Sequence, residues 1–497
     1  MRPYQILTFF ISVILVLLII SVIFPARGLK INDELKLTFF SIDELFSEDS
    51  IEYADISGII EHSWVYDEEI LEDVIEKPPM AEVDSIAPID TIRADGDSLK
   101  RIIHPIEFPE GQKDLFNPFF KKASSLSQKK DILRILHYGD SQIETDRITG
   151  YIRNRMQRSF GGSGCGLVPA VPLYNGKSSI KQAYSGDWHR FTGFINRDTT
   201  IRHKRYGALF GFSAIRNSIK DTLSYEWLQF EPSPISYSTS RYFNNISLIL
   251  GKSDNYPLNL RLILNDTIYD EIYVNESFRY NRLNWKLEAA PGKVIFEVSK
   301  DESLAVYGVS FDNNWGIAMD NIPLRGSSGL IFSKTDTVFL KQMYQDMNVG
   351  LIILQFGGNA VPYMKNVSRY ERFFLRELKV IKRLVPTIPV LVVGPSDMSI
   401  KENGKYITHP NLEKIRDAIK NATLNSGFAF WDMYEAMGGR NSMPAWVFAE
   451  PSLAISDFVH FNSRGARVVG EMLYNSIIYE YNIWKENSTK LAEMVNN

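Results

Sequence analysis

The chain alternates strand-like and helix-like segments at both ends and drops that alternation in the middle. This break most limits the folds open to it. Ile132–His137 reads as a buried strand, and Thr145 to Phe160 has helical periodicity. From about residue 203 to 313 only short β-like runs occur: Ile246–Leu250, Leu258–Leu264, Thr267–Val274, Lys293–Val298 and Ala305–Phe311. Turn residues such as Asn265-Asp266 and Pro291-Gly292 separate them, as in an antiparallel sandwich or jelly roll. After about 320 the alternation returns. Val349–Gln355, Ile388–Gly394 and Phe428–Trp431 read as strands; helices are predicted near Ser368–Leu384, Asn411–Thr423 and Ser463–Tyr481. Strands joined by helices predict a parallel sheet. The expectation is one α/β domain in two segments, 126–202 and 316–485, with an antiparallel β-sandwich of residues 203–315 inserted. A C-terminal tail, 486–497, follows.

A chain of 497 residues is too long for one ordinary core. Ile6 to Phe24 is almost purely apolar, and at about 1.5 Å per residue a helix there crosses a bilayer core. Signal-peptide apolar regions run about 7–15 residues. This run is longer, and Pro25-Ala-Arg-Gly28 is a poor cleavage site. Residues 1–25 are therefore expected to be an uncleaved, single-pass signal anchor with the body translocated. Arg2 before the run and Arg27 and Lys30 after it leave the positive-inside signal weak. Residues 26–125 read as an acidic, partly disordered tether: Asp43 to Asp97 holds 18 Asp/Glu against 2 Lys/Arg. The rest of the chain is correspondingly basic. That balance fits an anionic polymer partner or a scatter of solvated lysines, and no nucleic acid is expected. Cys165 is the only cysteine, which excludes an intramolecular disulfide and a cysteine-based zinc site. Gly161 to Gly166 is spaced loosely like a phosphate loop. It follows a helical segment rather than a strand, so it reads as a glycine-rich loop.

Three short motifs carry chemistry. Gly139-Asp140-Ser141 ends the first strand, and ligands of open α/β sheets bind at the carboxyl ends of strands. A serine hydroxyl needs a base to become a nucleophile. Histidine suits neutral pH when a carboxylate fixes its tautomer. Asp457 and His460 lie three apart, just before the last helix. A developing oxyanion needs donors held in advance. Asn359, in Gly357-Gly-Asn359, can supply a side-chain N–H, and Gly326 and Ser141 can supply backbone N–H groups. Each motif alone is common; their order and strand-end context make them a set. Asp140 is expected to organise the backbone beside Ser141. Tyr138, Gln142, Trp188 and Trp315 are candidate substrate contacts, since exposed aromatics are good sugar platforms, though core positions fit the aromatics too. The scheme needs no metal or cofactor.

These blocks resemble those of the SGNH (GDSL-like) hydrolases: Gly139-Asp140-Ser141, Gly326, Gly357-x-Asn359 and Asp457-x-x-His460. His137 to Asp146, with Ile148 to Gln157, is similar to the peptidoglycan O-acetylesterases of Gram-negative bacteria. The resemblance implies a flavodoxin-like α/β/α fold with an inserted carbohydrate-binding-like sandwich. It implies removal of O-acetyl groups from muramic acid in the periplasm, by a protein held in the inner membrane by its N-terminal helix. Two alternatives keep parts of this picture: a membrane-tethered polysaccharide O-acetyltransferase using the same triad, and a non-catalytic glycan-binding protein. Gln142 stands where the motif has Leu. Ala360 stands where the third block has Asp, which removes an expected support of the Asn359 loop.

Overall fold

The computed structural model describes residues 3–24, 29–30, 36–37, 51–61, 104–172, 179–216, 225–251, 258–274, 280–299 and 304–496. Most of the acidic tether lies outside the described residues. Contacts divide the chain into two units, 1–53 with 400–407, and the remainder. In the first, α1 (Pro3–Ile23) is apolar throughout, and Tyr4–Ile23 is long and apolar enough to cross a membrane. Strands β1 (Leu29–Lys30) and β2 (Lys36–Leu37) pair antiparallel.

In the second unit residues 57–61 are helical, and α2 (Asn117–Ser124) buries Phe119 and Phe120. Then come β3 (Ile132–Gly139), a 3-10 turn over Ser141–Asp146, and α3 (Thr149–Phe160). Next are β4 (Gly166–Val168), β5 (Ile180–Tyr184), β6 (Trp188–Thr192), β7 (Gly211–Ile215), β8 (Tyr225–Pro232), β9 (Asn245–Gly251) and β10 (Leu258–Leu264). β11 (Thr267–Val274), β12 (Tyr280–Lys286), β13 (Val294–Ser299) and β14 (Val306–Asp312) complete the β-rich part. β15 (Gly316–Pro323), α4 (Thr337–Asp346), β16 (Val349–Gln355), α5 (Val367–Leu384), β17 (Val390–Val393), α6 (Leu412–Asn425), β18 (Ala429–Trp431) and α7 (Ser463–Asn496) follow.

β15, β3, β16, β17 and β18 form one parallel sheet in that order. β3, β16 and β17 are buried almost throughout, as strands covered on both faces must be. Alternation sorts their side chains. Leu136, Ile352, Leu354, Val390 and Val392 join a core with α5 and α6 residues such as Phe374, Ile381, Ile415 and Ile419. On the opposite face Trp431 donates its indole N–H to Ser476 Oγ of α7 at 3.1 Å. The end of the presumed tether is part of this body, because Glu107 bridges to Phe430 and Ile106 is buried.

The remaining strands build two antiparallel sheets, β11-β10-β13-β8-β5 and β12-β9-β14-β7-β6, with β4 on β14. Phe230, Leu260 and Phe296 of one sheet share a core with Ile246, Leu248 and Phe311 of the other, and the Phe230 and Phe311 rings lie 5.2 Å apart. This is the expected sandwich, but it begins earlier than residue 203. β5 and β6 already pair within it. β5 is an edge strand with mostly exposed residues, so it lacks the apolar alternation that marks a strand in sequence. No separate C-terminal tail exists before Asn496, because α7 continues to that residue. The glycine-rich loop packs against the start of β15. A Cβ at Gly162, where φ is +110°, would stand 2.4 Å from the Ile317 carbonyl oxygen.

At the seam between sandwich and parallel sheet, Arg134 of β3 is fully buried. It donates to Asp320 of β15 and to Asp312 of β14, each at 2.5 Å, and to Ser310 at 3.1 Å.

Candidate active site

β3 ends where the chain must reverse tightly. A Cβ on Gly139 would lie 2.9 Å from Ile143 Cδ1 and 3.1 Å from the Gln355 carbonyl oxygen, so the turn packs tightly around glycine. Asp140 caps the 3-10 turn by accepting the Gln142 N–H at 3.0 Å. Ser141 thereby stands at the carboxyl end of the central sheet. Its Oγ lies 2.8 Å from His460 Nε2. His460 Nδ1 lies 2.7 Å from Asp457 Oδ2. The other Asp457 oxygen accepts the backbone N–H groups of Val459 and His460 at 2.9 and 3.0 Å. Phe458, with φ at +58°, turns the chain between them.

Desolvation alone would raise the Asp457 carboxyl. The hydrogen bonds from His460 and Val459 outweigh it and hold the group below its ordinary value. Asp457 is thus ionised at neutral pH and can only accept. The shared proton sits on His460 Nδ1, which leaves Nε2 to accept the Ser141 hydroxyl.

Two residues lock the nucleophile turn to the histidine loop. Gln142 is buried; its amide donates to the Val459 carbonyl at 2.7 Å and to Ser396 Oγ at 3.0 Å. Arg147 donates to the carbonyls of Ser141 and Phe461, each at 2.9 Å, and to that of Glu144 at 3.0 Å. Gln142 is therefore a brace inside the protein rather than the substrate contact expected of it. Asp140 is also buried. Desolvation pushes its carboxyl up to about 6, opposed by the Gln142 N–H, His460 and Asn359. It organises the turn, in keeping with the backbone role expected of it. His137 is a packed strand residue. Burial pushes it down to about 3, so it is neutral, held between Gln355 and Thr149.

The candidate oxyanion groups converge on the same strand ends. Leu324 donates its N–H to the Gly139 carbonyl at 2.7 Å, which sets the loop carrying Gly326 against the end of β3. Arg325, beside Gly326, lies 3.5 Å from Glu144 of the nucleophile turn. Asn359 follows β16, and its Nδ2 donates to the Ser327 carbonyl at 3.2 Å, joining the two loops. The support that Asp would give at Ala360 comes partly from elsewhere. Asn411 Nδ2 donates to the carbonyls of Val361 and Met364 at 2.9 and 3.0 Å. Neither Arg147 nor Asn411 was evident in the sequence, because side chains that bond backbone carbonyls leave no motif.

The aromatic candidates lie away from Ser141. Tyr138 is in the core, its hydroxyl 2.7 Å from Tyr344 Oη and donating to the Ala208 carbonyl at 2.8 Å. Strand alternation points it opposite to a surface role. Trp188 is buried in the sandwich core, on β6 rather than a loop. Trp315 precedes β15 and so stands at the amino end of the parallel sheet, under Lys130 Nζ at 4.4 Å. At about 3.3 Å per residue, an eight-residue strand separates it from the Ser141 end by roughly 25 Å.

Removing an oxyanion donor typically costs about 10²–10³ in kcat. Asn359→Ala is expected to lower kcat on an aryl acetate by about that factor with little change in KM. A kcat within about threefold of the parent would take Asn359 out of this role.

No family model matches the chain, and no curated protein matches it. Among solved structures, a peptidoglycan O-acetylesterase is 20% identical, over 73% of this chain and 96% of that one, with a TM-score of 0.58. A family two carbohydrate esterase from Clostridium thermocellum, in complex with cellohexaose, is 9% identical over 61% of this chain and 100% of that one, with a TM-score of 0.25. An acetyl xylan esterase is 15% identical over 32% and 81%, with a TM-score of 0.26. The fold is the SGNH type; in this chain Ser141, the Gly326 loop and Asn359 follow strands of the parallel sheet, and the Asp457–His460 pair precedes the last helix. At this identity the likeness to the O-acetylesterase is one of fold.

Proposed function

We propose that this protein is a serine esterase that removes O-acetyl groups from a cell-envelope glycan, the O-acetylated muramic acid of peptidoglycan. The observation that carries the reading is the unbroken chain Ser141 Oγ, His460 Nε2, His460 Nδ1, Asp457 Oδ2, with steps of 2.8 and 2.7 Å. Ser141 attacks the acetyl carbonyl while His460 takes its proton. The backbone N–H groups of Ser141 and Gly326 and the Asn359 amide receive the oxyanion. His460 returns the proton to the sugar oxygen, which leaves, and an acetyl-enzyme forms on Ser141. Water, deprotonated by His460, then releases acetate. Asp457 holds the imidazolium throughout.

The fold shared with a peptidoglycan O-acetylesterase supports the choice of glycan. The apolar α1 supports anchoring in the inner membrane with the body in the periplasm. The outer face of the sandwich supports glycan contact: Trp227 and Tyr273 are exposed there, interleaved with Arg261, Glu271 and Glu297 across the register of β8, β13, β10 and β11.

The test is acetate release from O-acetylated peptidoglycan by the full chain in detergent, run with and without an added oligosaccharide acceptor. Free acetate as the main product is expected in both cases. Acetyl transfer to the oligosaccharide in preference to water would replace the hydrolase with a transferase. Absence of turnover on any acetyl ester, with glycan still bound, would leave a binding protein.

A further inference from the structure

The sandwich reaches back to the candidate active site. Between β6 and β7 the chain makes a long loop that carries Ile195, 37% exposed and followed by the polar Asn196, Arg197 and Asp198. A Cβ built on Gly326, where φ is +77°, would meet a single side-chain atom, Ile195 Cδ1, at 3.0 Å. The isoleucine therefore lies directly against the oxyanion glycine. The loop that presents it is braced. Thr192 Oγ1 donates to the Ile195 carbonyl at 2.7 Å, and Gly193 N–H donates to the Phe210 carbonyl at 2.9 Å. Arg197 donates to the carbonyls of Ile201 and His203, each at 3.0 Å, and to Tyr206 Oη at 3.0 Å. Phe194 and Ile201 on either side pack on the core. An exposed apolar side chain held this firmly against the candidate oxyanion glycine can act as a wall.

Its side of the reaction follows from the proton route. The leaving oxygen must face His460 Nε2, which protonates it, and the carbonyl oxygen must face Gly326 and Asn359. The acyl substituent takes the remaining direction from the carbonyl carbon, away from His460 and beside the groups that hold the oxyanion. The geometry points to Ile195, a residue of the inserted sandwich, as the specificity-determining wall of the acyl pocket, restricting the enzyme to acetyl esters. This inference rests on the serine esterase reading. It gives the insertion a part in the chemistry besides any glycan contact, since the α/β domain alone would leave that side of Gly326 open.

The experiment measures kcat/KM of the full chain on aryl acetate, propionate and butyrate, with Ser141→Ala as control. One methylene misfit in an apolar pocket is worth about 10–200-fold. Ile195→Ala is expected to raise the butyrate-to-acetate ratio at least about tenfold. Ile195→Val should raise it less, and Ile195→Phe should lower the propionate-to-acetate ratio. Ile195→Val removes one methyl from an exposed side chain, so it keeps the fold if the alanine variant does not. The inference is overturned if these ratios stay within about twofold while turnover remains Ser141-dependent. It is equally overturned if the variants alter discrimination among acetates of different alcohols but not among acyl lengths. Turnover that survives in Ser141→Ala overturns the esterase reading instead, so the two failures are distinct.

Discussion

Ser141→Ala is expected to lower kcat on an aryl acetate by on the order of 10⁴–10⁶, with KM nearly unchanged. The hydroxyl it removes is the atom that bonds carbon, and no neighbouring group can replace it. Thr145, the next hydroxyl in the turn, already donates to the Glu144 carbonyl at 2.6 Å. The backbone is held by Arg147, Gln142 and the Asp140 cap, none of which contacts Ser141 Oγ, so the variant keeps its fold and its oxyanion N–H. His460→Ala is expected to cost a similar factor, and the double variant no more than either single one, because the two side chains act as one unit. Asp457→Asn should cost on the order of 10⁴. The asparagine can still accept the Val459 and His460 N–H groups through its carbonyl, but its NH₂ would face Nδ1 and favour the wrong tautomer. Kinetics of the four variants, alongside circular dichroism, check this. A double variant markedly slower than both single ones would mean that serine and histidine act independently, which the 2.8 Å contact does not allow.

The hydrogen-bonded set of Ser141, His460 and Asp457 was legible because each part sits where chain order and physical chemistry agree. β16 and β17 are apolar through both faces, and β3 is apolar apart from Arg134 and His137, so their strand ends could be located and the serine and asparagine assigned to them. The Asp–His pair needed only the last helix as its landmark. The sandwich was legible where strands alternate, as in β10 with its alternating burial, and illegible in β5, whose edge position leaves little to bury. Tryptophan was uninformative by itself. Trp188 is buried because β6 pairs with β7 and turns it inward, a fact of register that composition does not carry. Brackets such as Arg147 and Asn411 serve carbonyls on distant loops, and their partners are set only after folding. The same holds for Arg134, whose partners Asp312 and Asp320 lie 178 and 186 residues away.

Arg134→Met is expected to be the most destabilising single change at the seam, by about 3–5 kcal/mol, as for breaking a buried ion pair by removing one partner. Burial opposes the Arg134 charge, but the two carboxylates at 2.5 Å more than restore it, so the guanidinium stays charged. Asp320 is raised by desolvation even with arginine present. Its Oδ1 also accepts the Leu167 N–H at 2.8 Å, tying β4 to the cluster. Methionine matches the stem's volume, so the loss is chiefly electrostatic: two carboxylates stay in a buried seam with Ser310 as the nearby hydroxyl. For a body of this size the cost corresponds to a fall in melting temperature of about 4–6 °C. The deficit should depend on pH with a defined sign. Without the arginine, desolvation raises the folded-state pKa of Asp320 further above its unfolded value near 3.9. Stability is then fullest below that value and is lost as pH rises through the raised one, so the variant should fall further behind the parent at pH 8 than at pH 5. Adding Asp312→Asn and Asp320→Asn removes both charges and should recover much of the loss and abolish the pH dependence. Thermal melts of the three proteins in detergent decide it. A melting temperature for Arg134→Met within about 1 °C of the parent at pH 8 would mean that the cluster is hydrated, and that apolar packing alone holds the sandwich to the parallel sheet.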